Sequence, residues 1–205
     1  DAIDIYHEES VDDFEKLSAL PDTKTKGIVK SALKRLPWLV LLLALSLPIA
    51  IVTTRFEEVI TTVAVLAIFQ PLILDAGGDV ASQTLAVTLR ILSKKDSKKA
   101  LKNGGKEILA GLINGIALGL VAGVVSFIIA KVLKVEQPLN VSLVVFISLA
   151  LTVAIGPIFG LFIPLILKKM KIDPAVASSP FITTLIDITS VIIYFGCATL
   201  LLGVF

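Results

Sequence analysis

The sequence predicts an all-α membrane protein with five transmembrane helices. Of the 205 residues, 56% are hydrophobic and the mean hydropathy is strongly positive, which is too apolar for an ordinary soluble domain of this length. The apolar residues also fall into five long runs separated by short polar segments. A helix needs about 20 apolar residues to cross a bilayer, and each run is long enough.

Residues 1–22 differ in character from the rest of the chain. They contain eight acidic residues and a single base, Lys16. Ser10 is a candidate helix N-cap, Pro21 ends the segment, and apolar residues recur at helical spacing between them. We therefore predict a short cytoplasmic amphipathic helix, which either docks on another surface or senses cations, followed by a five-helix domain over residues 23–205.

The first two membrane helices follow from apolar runs with recognisable boundaries. Five bases precede the first run, Trp38 is a candidate interfacial anchor, and the run continues to Thr53. The second helix is predicted over residues 59–92. Because this stretch is longer than a span requires, we expect tilt, a kink at Pro71 or a break at Gly77-Gly78.

The remaining three helices are predicted from the second half of the chain. A basic polar loop is expected over residues 93–106, and the third, fourth and fifth helices over residues 108–133, 141–167 and from 178 to the end. The third helix carries glycines at intervals of four, which favours close packing of a neighbouring helix. These glycines are Gly111, Gly115, Gly119 and Gly123.

The distribution of basic residues predicts the orientation in the membrane. Apart from Lys16 of the N-terminal segment, fifteen lysines and arginines fall on one side of the five helices and three on the other. By the positive-inside rule the first side is cytoplasmic. We therefore expect a multi-pass protein of the cell (inner or plasma) membrane, with its N-terminus in the cytoplasm and its C-terminus outside.

Acidic residues deep in the predicted helices mark the candidate functional site. Asp75 and Asp79 lie four residues apart on one face of helix two. Ser82 and Gln83 continue that face. With a rise of ~1.5 Å per residue, Asp187 of helix five lies at the same depth as Asp79. Intramembrane carboxylates are costly and normally face a cavity or a partner, so the pattern indicates an ion or proton path.

The available donor atoms indicate a hard cation. Carboxylate, hydroxyl and carbonyl oxygens surround the predicted site, with neither His nor Cys nearby. Such donors suit Mg²⁺ or Ca²⁺ better than Zn²⁺ or Cu²⁺. Mg²⁺ gives up its waters reluctantly, so a site with few charges and many hydroxyls can bind it hydrated.

Several motifs are distributed over essentially the whole chain: residues 35–38 (RLPW), 55–58 (RFEE), 77–84 (GGDVASQT) with Arg90, 173–175 (DPA) and 178–189 (SSPFITTLIDIT). Together they resemble the membrane domain of the MgtE family of magnesium channels and transporters.

The resemblance implies a homodimer whose central pore is lined by helices two and five of both subunits. It implies that Asp187 is the pore aspartate holding hydrated Mg²⁺, and that Thr183 offers its backbone carbonyl. Ser179 takes a position where the family commonly has Asn. The resemblance further implies cytoplasmic regulatory domains, which are absent from this chain. It implies that a connecting helix joins those domains to the membrane domain, and residues 1–22 resemble the end of that helix.

The glycine-rich motif departs from the family pattern, which is near GGNxGNQ. Asp79 and Ser82 stand where amides are usual, and Asp75 stands where relatives tend to have Gly. In a two-fold pore three acids per protomer place up to six carboxyls near the axis, so we expect altered selectivity or rate. An alternative role for Asp75 is to cap a half-helix at the Gly-Gly pair. The candidate metal-site residues are Asp75, Gly78, Asp79, Ser82, Ser179, Thr183 and Asp187.

The sequence thus predicts a Mg²⁺ channel or transporter rather than an enzyme. Proton- or sodium-coupled transport through the same aspartates is an alternative. An intramembrane aspartyl protease, in which two carboxylates share a proton, is a weaker one because Gly77-Gly78-Asp79 does not match the GxGD signature of such enzymes. Nucleic-acid binding is not expected, since topology explains the basic segments.

Overall fold

The computed structural model of the chain describes residues 27–56, 64–93, 97–171, 174 and 179–203. Within these ranges the chain forms five long helices and no strand, and each helix is long and apolar enough to cross a membrane. The prediction of an all-α protein with five membrane helices is confirmed, whereas the predicted helix within residues 1–22 lies outside the described residues. The helices are α1 (Ile28–Arg55), α2 (Ala64–Ser93), α3 (Ser97–Val132), α4 (Pro138–Lys169) and α5 (Ser179–Leu202).

The basic loop expected over residues 93–106 is mostly helical, so that prediction was wrong. α3 begins at Ser97 and carries Lys98, Lys99 and Lys102 in its first turns. Lysine is a good helix former, so the charges end the apolar run without ending the helix. Ala100 is buried, and a Cβ on Gly104 would meet the side chain of Leu161 of α4, so this basic extension packs against the bundle.

α4 is the central helix of the bundle. It packs against α2, α3 and α5, and half of its most apolar segment is buried. The glycine ridge of α3 faces it, as expected. A Cβ at Gly115 would lie 2.5 Å from the carbonyl oxygen of Ala150, and one at Gly119 would lie 2.8 Å from that of Phe146. Close approach of the two backbones therefore requires glycine at these positions.

α1 lies at the edge of the bundle and packs chiefly on α5. At its C-terminal end Phe56 stacks on Phe195, with ring centroids 4.9 Å apart and ring planes inclined by 10°. Ile49 and Val52 pack against the same core. Most other large apolar side chains of α1 are exposed, as suits a helix facing lipid or another chain.

α2 and α5 form the pair of helices that carries the candidate site. Near one end of the pair Tyr194 is fully buried, and its hydroxyl donates a hydrogen bond of 2.8 Å to the carbonyl oxygen of Leu66. Towards the other end Leu85 of α2 packs with Ile182 and Ile186 of α5. These contacts hold the two helices together on both sides of the polar residues.

Candidate functional site

The Gly77-Gly78 pair lets α2 approach two other helices closely. A Cβ on Gly78 would lie 3.1 Å from Cγ2 of Thr183 of α5. A Cβ on Gly77 would collide with Cγ2 of Thr152 of α4 and lie 3.2 Å from Oγ of Ser190. The pair thus serves backbone approach, which places α2 directly against the polar face of α5.

The expected break at Gly77-Gly78 does not occur. α2 is helical without interruption from Ala64 to Ser93, through Pro71 and both glycines. Packing of α4 against Gly77 and of α5 against both glycines offsets their low helix propensity. With no half-helix at this point, Asp75 cannot be capping one, and this alternative role is wrong.

One cavity between α2 and α5 gathers most of the candidate site residues. Its volume is about 420 Å³. Asp75 and Asp187 share it, and their carboxylates are close enough to repel each other. The full lining is Pro71, Leu74, Asp75, Gly78, Asp79, Thr183 and Asp187.

Two of the seven predicted site residues are not part of this lining. Ser82 is half-buried one turn further along α2. Ser179 is the first residue of α5, and its side chain lies outside what the structure describes. The other five, Asp75, Gly78, Asp79, Thr183 and Asp187, line the cavity together, and their metal-binding roles remain predictions.

Several hydroxyl groups of α5 donate hydrogen bonds to carbonyl oxygens three or four residues earlier in the helix. Thr183 and Thr184 donate to the carbonyl oxygen of Pro180 at 3.0 and 2.8 Å, and Ser190 donates to that of Ile186 at 2.7 Å. With its proton engaged, each oxygen still has lone pairs that accept hydrogen bonds. The hydroxyl of Thr183, which lines the cavity, therefore presents an acceptor, as the carboxylates do.

The polar stripe of α2 is exposed in the single protomer. Asp75, Asp79 and Gln83 are all exposed, whereas the opposite face, including Ile73 and Ala81, is fully buried. At membrane depth exposed carboxylates are costly unless they face water or a partner. The stripe therefore requires a water-filled space or a second chain beside it.

The cavity is large enough to hold a hydrated ion. Among the described residues no three acidic, His or Cys side chains come close enough to form a metal-ligand cluster. Mg²⁺ takes six ligands in near-octahedral geometry, and six waters at ~30 Å³ each would occupy about 180 Å³. That volume fits within the 420 Å³ cavity, whose acceptors match the outward-pointing hydrogens of bound water.

Two glycines of α4 position the site without lining it, and the sequence prediction missed them. A Cβ on Gly156 would lie 3.0 Å from the carbonyl oxygen of Gly77, and one on Gly160 would collide with that of Ala81. They are four residues apart, the same signal that marked the packing ridge of α3. Pro71 and Leu74 of the lining were also missed, because nothing in their chemistry distinguishes them from packing residues.

The fold and this site define a helical membrane protein with an acidic cavity between two of its helices. Residues 70–197 match the model of the MgtE family, described as divalent cation transporters. The chain is 38% identical to the magnesium transporter MgtE of Bacillus subtilis over 204 residues, 36% identical to that of Enterococcus faecalis over 206, and 32% identical to that of Thermus thermophilus over 212.

The chain belongs to the MgtE family of divalent cation transporters. These alignments cover 97% to 100% of the chain but only 44% to 45% of each relative, so the chain spans about half the length of the curated relatives it matches. The names of the relatives describe transport and not a chemical reaction, in agreement with the prediction that the chain is not an enzyme.

Proposed function

We propose that this chain forms the membrane pore of a Mg²⁺ transporter that passes the ion down its electrochemical gradient. The observation that carries the proposal is the cavity between α2 and α5, which Asp75, Asp79 and Asp187 all line. The names of the relatives support Mg²⁺ as the ion.

The pore would lie at the axis of a homodimer, between α2 and α5 of both protomers. The exposed acidic stripe of α2 supports this arrangement, because a second copy would close a polar channel and remove the carboxylates from lipid. Two-fold symmetry brings the same patch of both subunits together and doubles every ligand.

The carboxylates would bind Mg²⁺ through its water shell. Asp187 and the hydroxyl oxygen of Thr183 accept hydrogen bonds from the coordinated waters, so the ion need not lose them. Asp75 and Asp79 raise the local cation concentration at the same cavity. Such indirect contacts attract the ion yet release it readily, as conduction requires.

The driving force would combine the concentration difference with the membrane potential. Each charge gains roughly 2.3 kcal/mol per 100 mV, and a divalent ion gains twice as much. A negative cell interior therefore favours Mg²⁺ entry.

Flux into liposomes tests passive transport against coupled transport. We expect the purified chain to admit Mg²⁺ along its own gradient at the same rate with and without a proton or sodium gradient. Empty liposomes and liposomes holding heat-denatured chain serve as controls. A rate that rises severalfold when a proton or sodium gradient is applied would favour the coupled mechanism, and no flux in any condition would contradict the proposal.

Asp79→Asn is expected to change ion preference or rate by about two- to fivefold, since it removes one exposed carboxylate per protomer from the cavity while preserving shape. The measurement is Mg²⁺ flux in competition with Ca²⁺, and Asp79→Glu, which keeps the charge, is the matched control. Identical rate, ion preference and block in Asp79→Asn would show that this departure from the family pattern has no functional consequence.

A further inference from the structure

An apolar groove runs between α3 and α4, and none of its lining residues lines the acidic cavity. Its volume is about 380 Å³. Its walls include Leu120, Val124 and Phe127 of α3 and Leu139, Leu143 and Phe146 of α4. Val124 is 60% exposed, so the groove opens to the outside of the protomer.

The polar atoms within the groove are satisfied internally. Ser142 is the polar side chain of the lining, and its hydroxyl donates to the carbonyl oxygen of Gly123 at 2.8 Å. Ser126 donates to the same oxygen at 2.9 Å. The groove therefore presents mainly hydrocarbon to its occupant, and the hydroxyl of Ser142 has no free proton to donate.

Basic residues lie where the groove ends. Leu120, Val124, Phe127 and Lys131 share one face of α3, at intervals of four, three and four residues. The Lys131 Nζ lies 5.7 Å from the centroid of the Phe127 ring.

The chain reverses direction at this same end of the groove. Val135 N donates to the carbonyl oxygen of Ala130 in the turn that also carries exposed Lys134. Glu136 follows, also exposed, which leaves the end of the groove with a net charge of +1.

We propose that this groove binds an acyl chain of an anionic phospholipid, whose headgroup phosphate is held by Lys131 and Lys134. The apolar groove and its basic end match the two halves of such a lipid, and the helices around it are long and apolar enough to lie in the bilayer. Under the predicted orientation, the lipid belongs to the outer leaflet.

Selectivity for the lipid comes from the headgroup. An acyl chain gains no hydrophobic free energy by moving from the bilayer into the groove, because both are hydrocarbon. Attraction between the lysines and a negative headgroup is the term that distinguishes anionic from zwitterionic lipids.

Native mass spectrometry of the purified chain tests the proposal, with phosphatidylglycerol and phosphatidylcholine of identical acyl chains as probes. We expect wild type to prefer phosphatidylglycerol. Lys131→Gln and Lys134→Gln should each weaken that binding by about fivefold and weaken phosphatidylcholine binding much less, because the choline cation already offsets the charge of its phosphate. The matched control is Lys168→Gln with Lys169→Gln, two bases at the far end of α4.

A second pair of variants tests the groove itself. Val124→Trp fills it and should displace both lipids, whereas Val121→Trp, at a residue of the same helix that is 64% exposed and outside the lining, should not. The proposal would be overturned if the Lys168→Gln/Lys169→Gln control lost as much phosphatidylglycerol binding as Lys131→Gln and Lys134→Gln. Full lipid binding in Val124→Trp would also overturn it. So would a loss of dimer mass in Val124→Trp with lipid binding retained, since a second copy would then occupy the groove.

Discussion

Asp187→Ala is expected to reduce Mg²⁺ influx into liposomes by about tenfold or more. Asp187 is the acid that α5 contributes to the cavity, facing Asp75 of α2. A hydrogen bond to a charged group contributes about 1.5–3 kcal/mol, and a factor of ten corresponds to about 1.4 kcal/mol. In a two-fold pore the substitution removes two carboxylates at once. The measurement is the initial rate of influx, read with an entrapped Mg²⁺-sensitive dye.

Two further variants separate charge from shape at this position. Asp187→Asn keeps the size and one acceptor oxygen but loses the charge, so it should resemble Asp187→Ala if attraction of the cation is the main contribution. Ile192→Ala lies on the same helix at a side chain that is 54% exposed and outside the cavity, and should transport like wild type. Wild-type influx in folded Asp187→Ala would place the conduction path elsewhere.

Gly160→Ala is expected to destabilise the bundle and impair transport, although Gly160 does not line the cavity. The added Cβ would collide with the carbonyl oxygen of Ala81 and lie 2.8 Å from the backbone nitrogen of Leu85 and 2.9 Å from Cβ of Thr84. These backbone and Cβ atoms of α2 cannot rotate aside as the end of a flexible side chain could, so α2 and α4 must move apart. Overpacking of this kind costs about 1–3 kcal/mol, which lowers the midpoint of thermal unfolding by roughly 2–4 °C per kcal/mol.

Gly196→Ala is the matched control for this experiment. It is the same substitution within a membrane helix, but apart from its two chain neighbours and the adjacent backbone of its own helix, nothing described lies within 4 Å of the added Cβ. Because alanine favours helix over glycine, this variant should unfold at or slightly above the wild-type temperature. Equal unfolding midpoints for Gly160→Ala and Gly196→Ala would mean that the contact between α2 and α4 is looser than the structure indicates.

Asp187→Ala and Gly160→Ala are both expected to reduce transport, but they differ in their expected effect on stability. Asp187→Ala removes a carboxylate that repels Asp75, so transport should fall without loss of stability. Gly160→Ala moves α2, which carries Asp75 and Asp79, so transport and stability should fall together. Measuring both quantities in both variants distinguishes a residue that meets the ion from one that positions the helix.

The number of membrane helices and their approximate positions could be predicted from the sequence. A segment that crosses a bilayer must have a minimum length and an apolar composition. The boundary of α3 was not accessible in the same way. Its lysine-rich start at Ser97 lies beyond the apolar run, and hydropathy reports where a segment leaves hydrocarbon, not where its backbone hydrogen bonds end. Contacts such as that of Gly104 with Leu161 decide how far the helix continues.

The candidate site was likewise predicted in part from the sequence, while other features of it required the structure. Asp75, Asp79 and Asp187 were identifiable because a carboxylate at membrane depth requires an explanation. The sequence could not tell that Ser82 lies outside the cavity lining, nor that α2 runs unbroken through Gly77-Gly78. Two adjacent glycines have low helix propensity and so predict a possible break in the helix. The helix stays continuous because other helices pack against these glycines.

The sequence by itself determined that the chain has five apolar helices, and it predicted that acids of the second and fifth lie at a common depth. Both follow from quantities that are local along the chain: apolar length, charge and the rise per residue. Only the tertiary structure decided that α4 is the central helix and that its Gly156 and Gly160 hold α2 in place. Such contacts join residues far apart in sequence. Their energy depends on how well two helix surfaces fit together, and this fit cannot be read from the sequence of either helix alone.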